Sequence, residues 1–360
     1  MNYTARIRAV VASFADQGID ALIVTNLVNI RYLCGFTGSN GVVVVGDSRA
    51  VLLTDFRYIT MAGEQTEGVE IVQAGRDLVQ SVAEIAGELA SDGRVGFEAN
   101  DVTVARHASI AEALTGSSLV PTRGVVEAVR LIKDADEIAL MTEAARIADL
   151  AFAACADGIF RGRTERQVAW ELEGIMRDGG ASGASFDIIV ASGERGAMPH
   201  AVPADVPVAN DTLVTVDLGA VYEGYASDCT RTFATGEPSA ELIRAYDVCL
   251  EAQERALAAV GPGVRGGDLD AIARGCIGQA GLGEYFGHGL GHGVGLDIHE
   301  APTARPGSTD VLQPGTTITV EPGIYLPGVG GCRIEDLCVV TADGFDVLTG
   351  FTKERLTVDC

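Results

Sequence analysis

Apolar and polar positions alternate with two different periods along this chain. After an opening segment with helical spacing, "DALIVTN", "GVVVVG" and "AVLLTDF" are short apolar runs bounded by Gly, Asp and Asn, which predict strands. "DLVQSVAEIAGELA" returns to helical spacing from Asp77 onward, and "GRVGFEA" predicts one more strand. Mixed helices and strands of this kind predict an α/β domain ending between Thr122 and Val129, written as residues 1–128.

Beyond it, "DADEIALMTEAARIADLAFAA" opens with Asp134 three residues before Glu137, and "TERQVAWELEGIMRDGG" repeats the spacing with Thr164 and Gln167. Both are capping-box patterns, because the first side chain accepts from the third backbone N–H and the third reaches back. Val168, Leu172, Ile175 and Met176 form one apolar helix face, and Gly179 offers a stop. Two more helices are expected, over about Ser239 to Val260 and Asp268 to Ala280, between groups of strands. The second domain, residues 129–360, is therefore expected to be α+β, with helices on a mostly antiparallel sheet.

Two hairpins in that domain carry acidic residues where a buried strand would be apolar. In "LVTVDLGAVYEGYASDCTRTF", a turn at Tyr222 and Glu223 sets Asp217 directly opposite Asp228. In "ITVEPGIYLPGVGGCRIEDLCVV", a three-residue turn at Pro327, Gly328 and Val329 sets Glu321 opposite Glu335. Facing carboxylates repel, so a cation is expected between them.

Composition narrows the use of those carboxylates. A formal net charge of −24 over 360 residues argues against nucleic acid or an anionic membrane as the main partner. No apolar run approaches the ~18 residues of a membrane span, and the first twenty residues lack an unbroken apolar core. A cytoplasmic protein is expected, its eight scattered cysteines reduced. Four of the five histidines cluster in the same domain: His200 in "AMPHAVP", and His288, His292 and His299 in "FGHGLGHGVGLDIHE". Four carboxylates with imidazole form an oxygen-rich set suited to two divalent cations sharing ligands, Mn2+ ahead of a thiolate-type Zn2+ site. Such a pair activates water and polarises a carbonyl, which is hydrolase chemistry.

These stretches resemble the aminopeptidase P and prolidase family of proline-specific metallopeptidases. "NIRYLCGFTGSN" and "LLTDFRY" match in the first domain; "FDIIVASG", "MPH", "VDLGA", "SDCTRTF", "HGLGHGVGLDIHE", "EPGIY" and "RIED" match in order in the second. The resemblance implies a creatinase-like N-terminal domain and a pita-bread catalytic domain with a curved sheet. It implies metal ligands Asp217, Asp228, His292, Glu321 and Glu335, with Asp228 and Glu335 bridging two ions, Mn2+ ahead of Co2+ or Zn2+. It further implies that His200 and His299 contact substrate, that Glu321 orients or deprotonates the water, and that His288 lines the site. Thr230 would support the bridging aspartate and Arg333 would bond a ligand from behind; Cys332 stands where an aliphatic residue is usual. The implied activity is hydrolysis of the Xaa-Pro bond at the N-terminus of di- or oligopeptides by a homodimer. That bond is a tertiary amide without an N–H, which strand-like substrate binding handles poorly. The rival reading is an inactive pita-bread protein that binds peptides or partners, but such proteins lose ligands and all five positions are filled here.

Overall fold

A computed structural model describes residues 1–75 and 78–360, and the chain divides into two compact units, Met1–Arg130 and Leu131–Cys360. The first is built on six strands, β1 (Ala21–Val24), β2 (Gly41–Gly46), β3 (Ala50–Thr54), β4 (Glu70–Gln73), β5 (Arg94–Glu98) and β6 (Ser118–Thr122). They lie in the order β4-β3-β2-β1-β5-β6, with β2 antiparallel to both neighbours and the other pairs parallel. Val42, Val44, Val51 and Leu53 pack one face against Val82, Ala83 and Ala86 of the helix Leu78–Leu89. Full burial of each such Val or Leu contributes about 1.5–3 kcal/mol. Asp77, with which that helix was expected to begin, lies outside the described residues.

The second unit opens with helices Ala135–Ala156 and Glu165–Asp178, and both capping boxes form. The Asp134 side chain accepts from the Glu137 N–H at 2.9 Å while Glu137 accepts from the Asp134 N–H at 3.0 Å. Val168, Leu172 and Met176 are fully buried and Ile175 half-buried. The helix stops at Gly179 as expected, a right-handed cap with φ −73°, and Gly180, with φ +109°, turns the chain.

Strands β7 (Gly183–Ala184), β8 (Ile189–Ser192), β9 (Thr212–Leu218), β10 (Ala220–Tyr222), β11 (Tyr225–Ala226) and β12 (Cys229–Thr235) follow. Phe152 and Leu172 of the two helices pack on Val190, Val214, Val216 and Phe233 of β8, β9 and β12. After helices Ala240–Leu257 and Gly266–Gln279 come β13 (Gly291–Gly293), β14 (Glu300–Ala304), β15 (Thr317–Val320), β16 (Gly323–Leu326), β17 (Gly330–Arg333), β18 (Asp336–Val340), β19 (Phe345–Val347) and β20 (Thr357–Val358). Leu242, Cys249 and Leu269 of these helices share a core with Ile318, Ile324 and Cys332. The pairings are antiparallel except that β20 runs parallel to β12, so the sheets are mixed.

The register of the first hairpin differs from the sequence expectation. The two-residue turn lies at Glu223 and Gly224, with φ +46° and +83°, and Tyr222 pairs with Tyr225. Asp217 therefore pairs with Thr230, and Asp228 falls diagonally from it in the break between β11 and β12. A primed turn needs φ > 0 at both central positions, and glycine meets that at no steric cost, so Gly224 draws the turn one residue along. The partner of each residue moves by two, an even number, so both aspartates stay on one face. In the second hairpin Leu326 pairs with Gly330 across Pro327, Gly328 and Val329, and Gly323 pairs with Arg333. Extending that register sets Glu321 across from Glu335, in the gap between the β16–β17 and β15–β18 ladders.

Candidate functional site

The gap between ladders releases backbone groups of Glu321 and Glu335 to bond outside their own hairpin. The Glu321 N–H donates to the Leu290 carbonyl at 2.9 Å, and the Glu335 N–H donates to the Thr230 carbonyl at 3.1 Å. These bonds bring β12 and the approach to β13 onto the second hairpin. Gly291 allows the closest approach, since a Cβ there would lie 1.9 Å from the Thr319 carbonyl oxygen. His292 follows it on β13.

Carboxylate oxygens of Asp217, Asp228 and Glu335 converge within 4.8 Å of one another, and all three residues are buried. His292 Nε2 lies 3.3 Å from Glu321 Oε1 and 3.6 Å from Asp228 Oδ2. Its Nδ1 sits 3.0 Å from the Gly293 carbonyl, which only accepts, so Nδ1 carries a proton and Nε2 faces the carboxylates, where it donates to Glu321 when the ring is protonated and offers a lone pair to a cation when it is neutral. Asp217 Oδ1 and Glu335 Oε1 are buried without a hydrogen-bond partner.

The charges follow from that crowding. Burial first, and then the neighbouring carboxylates, push Asp228 and Glu335 well above the ordinary range. Asp217 is also raised by burial, although the Arg333 guanidinium beside it acts in the opposite sense. Burial pushes Glu321 up too, but the hydrogen bond and charge of His292 outweigh it and hold the group low. His292 is disfavoured as a cation by burial, yet Glu321 holds its pKa above the usual value. Unpartnered buried oxygens, an inward lone pair and mutually repelling carboxylates fit divalent cations bound among these residues.

Arg333 braces the cluster from behind. Its Nη2 donates to Asp217 Oδ2 at 2.6 Å, its Nε to Thr230 Oγ1 at 3.1 Å and its Nη1 to the Tyr325 hydroxyl at 2.9 Å. Thr230, fully buried, donates onward to Glu335 Oε2 at 2.8 Å. His288 holds its Nδ1 proton on the Gly289 carbonyl at 2.7 Å, so its Nε2 accepts from the Tyr325 hydroxyl at 2.8 Å.

The carboxylates, His200, His288, His292, His299 and Arg333 all face one cavity of about 600 Å3, with Phe186, Ile188, Val202 and Ile298 among its apolar walls. Thr230 stands behind the wall. All ten site residues named from the sequence thus fall in one neighbourhood, though Asp217 and Asp228 meet diagonally. Sequence reasoning missed Tyr325, whose hydroxyl joins Arg333 to His288. Its signal was present in "EPGIY", two residues past a glycine and four past a carboxylate already named. The apolar wall from Phe186 to Val202 lies in or beside the matched stretches "FDIIVASG" and "MPH", but its lining role was not legible because it assembles from a loop and a strand end.

Comparison with known proteins agrees with this arrangement. Residues 139–342 match the model for Metallopeptidase family M24, and residues 6–132 match the Creatinase/Prolidase N-terminal domain. An uncharacterised peptidase of Bacillus subtilis is 44% identical over 95% of this chain and 97% of its own. The Xaa-Pro dipeptidase of Pyrococcus furiosus is 35% identical, covering 98% of this chain and 99% of its own. Among solved structures, an Xaa-Pro dipeptidase from Bacillus anthracis superposes with a TM-score of 0.96 at 44% identity, covering 99% of this chain and all of that one. With buried carboxylates arranged for cations and both domain models matched in order, this chain belongs to Metallopeptidase family M24, carrying a creatinase/prolidase N-terminal domain ahead of a pita-bread catalytic domain.

Proposed function

We propose that this protein is a metal-dependent exopeptidase that hydrolyses the bond between an N-terminal residue and a following proline, with Xaa-Pro dipeptides as its substrates. The observation that carries it is the set of convergent, buried carboxylates with two unpartnered oxygens, which is costly unless cations complete it. The names of the relatives support the proline specificity. The cavity volume of about 600 Å3 lies within the ~300–1,000 Å3 usual for small-molecule sites and has room for a dipeptide.

In this reading Asp217, Asp228, His292, Glu321 and Glu335 would hold two divalent ions, Asp228 and Glu335 serving both, with Mn2+ the native metal; bound there, the ions would supply a water of lowered pKa and polarisation of the scissile carbonyl. Glu321 would accept the water's proton at its carboxylate. His200 and His299, exposed on the cavity wall, hydrogen-bond the carbonyl oxygen as it gains charge. His288 has its one ring proton committed to Gly289, so it shapes the wall instead. Arg333 and Thr230 hold Asp217 and Glu335 in place. The same reading divides the chain into residues 1–128 and 129–360, closes the catalytic sheets into one curved, mostly antiparallel surface, and gives a cytoplasmic homodimer. No helix of the described residues is long and apolar enough to cross a membrane.

Chelation followed by addition of Mn2+ tests the mechanism: activity on Ala-Pro is expected to vanish and return. Ala-Pro-Ala assayed alongside tests the substrate class, with slower turnover expected. Full activity of metal-free protein would refute the reading.

A further inference from the structure

We propose that Lys133 is a positioning residue for His299, acting through a buried ion pair with Glu300. Lys133 Nζ lies 2.5 Å from Glu300 Oε1, and the two side chains are 1% and 12% exposed. Lys133 is fixed in turn by its backbone N–H, which donates to the Gly315 carbonyl at 2.8 Å, and by the helix cap at Asp134 immediately after it.

His299 needs such support. Its ring meets the His292 ring with centroids 4.4 Å apart. His288 and His292 each hold a backbone carbonyl through Nδ1, while the His299 ring makes no hydrogen bond among the described residues. Its direction is therefore set by the chain on either side. Glu300 is the next residue, the first of β14, paired with Gly293 across the irregular register beside His292. His299 is the bend residue immediately before β14, so a clamp on the Glu300 side chain holds the backbone from which His299 leaves toward the cavity.

The glycines of "HGVGL" fit the same clamp. A Cβ on Gly295 would lie 2.4 Å from Glu300 Oε1, so the carboxylate lies where only glycine leaves room. For stability alone an apolar pair of similar volume serves as well or better than buried ions, whereas an ion pair specifies one geometry. That geometry is what a group aimed at a reacting carbonyl requires, since a displacement of about 1 Å can cost ~100-fold in rate.

The inference rests on the proposed contact of His299 with substrate. Its test is the neutral, nearly isosteric Lys133→Met/Glu300→Gln protein, which leaves no buried charge unpaired and is expected to stay folded. With Mn2+ and an Xaa-Pro dipeptide, kcat should fall by roughly 10- to 100-fold and KM by no more than about twofold either way. Bound metal, measured by elemental analysis, should be unchanged. In a His299→Ala background the same two substitutions should add less than about twofold, because they act through His299. Should the double variant not accumulate, Glu300→Asp, which keeps both charges and draws the carboxylate back, carries the same comparison. Wild-type kcat in the variant, or an undiminished further loss in the His299→Ala background, would overturn the proposal. If His299→Ala itself turns over normally, the substrate contact fails, and the clamp is then decided by NMR. The ring-proton signal of His299, assigned by its absence in His299→Ala, moves in the variant if the pair positions the ring; an unmoved signal would overturn the clamp too.

Discussion

The hairpin from β9 to β12 and the hairpin from β15 to β18 each deliver two carboxylates to one cluster on different backbones. The first closes on two left-handed residues, Glu223 and Gly224, and presents Asp217 and Asp228 diagonally. The second closes on Pro327, Gly328 and Val329 and presents Glu321 and Glu335 where its ladder is interrupted. Reciprocal ion pairs lock them together. Arg231 of the first reaches Asp336 of the second at 2.8 Å, and Arg333 of the second reaches Asp217 of the first at 2.6 Å. Both guanidiniums are buried, but only Arg333 grips a carboxylate of the cluster; Arg231 otherwise bonds backbone carbonyls, those of Thr230, Glu335, Phe351 and Thr352. One lock therefore holds the backbone beneath the site, and the other holds a carboxylate of the site itself.

The largest expected effect treats the hairpins alike. Asp228→Asn and Glu335→Gln each remove charge from the proposed shared ligands, and should cost more than the ~10- to 100-fold in metal affinity or activity typical of outer contacts. Metal analysis and turnover on both proteins check this, and retention of two ions with normal activity in either breaks the symmetry. Without metal, both variants should be at least as stable as the parent, since a buried like-charge repulsion is relieved.

The two locks should then separate. Arg231→Met and Arg333→Met each leave a buried carboxylate without its guanidinium and should destabilise by roughly 3–5 kcal/mol, read by denaturant unfolding. For Arg231→Met the loss is moderated, because Lys353 Nζ also reaches Asp336 at 2.8 Å. Turnover per folded molecule should fall further for Arg333→Met than for Arg231→Met; an equal fall in both would mean that the locks do not differ.

Smaller effects distinguish the turns. Gly224→Ala places a side chain at φ +83° and should cost about 1–2 kcal/mol. Glu223 already endures φ +46°, so Glu223→Asn should recover part of that ~1–2 kcal/mol, because asparagine visits this region more readily. Pro327→Ala in the other turn should change little, within about 0.5 kcal/mol for a surface position. Thermal melts of the three proteins rank them.

Reading the turns from sequence succeeded unequally for a local reason. "PGV" between apolar arms admits one obvious three-residue loop, and Gly323 pairs with Arg333 accordingly. "YEGY" admits two two-residue loops, and the one chosen from pattern put the turn a residue early. The error was harmless to the site because it moved each partner by an even number, leaving Asp217 and Asp228 on one face.

By itself the sequence determined the helices begun by Asp134 and Thr164, the carboxylate-bearing arms and the histidine segment, since caps, periodicity and turn residues act over a few neighbours. Only the tertiary structure decided that Tyr325 joins Arg333 to His288 and that Lys133 reaches Glu300, 167 residues away. It also decided that Arg231 and Arg333 cross between hairpins, over separations of 105 and 116 residues. A buried charge can be satisfied by any partner the fold brings within reach, and that reach is set by the packing of whole elements rather than by spacing along the chain.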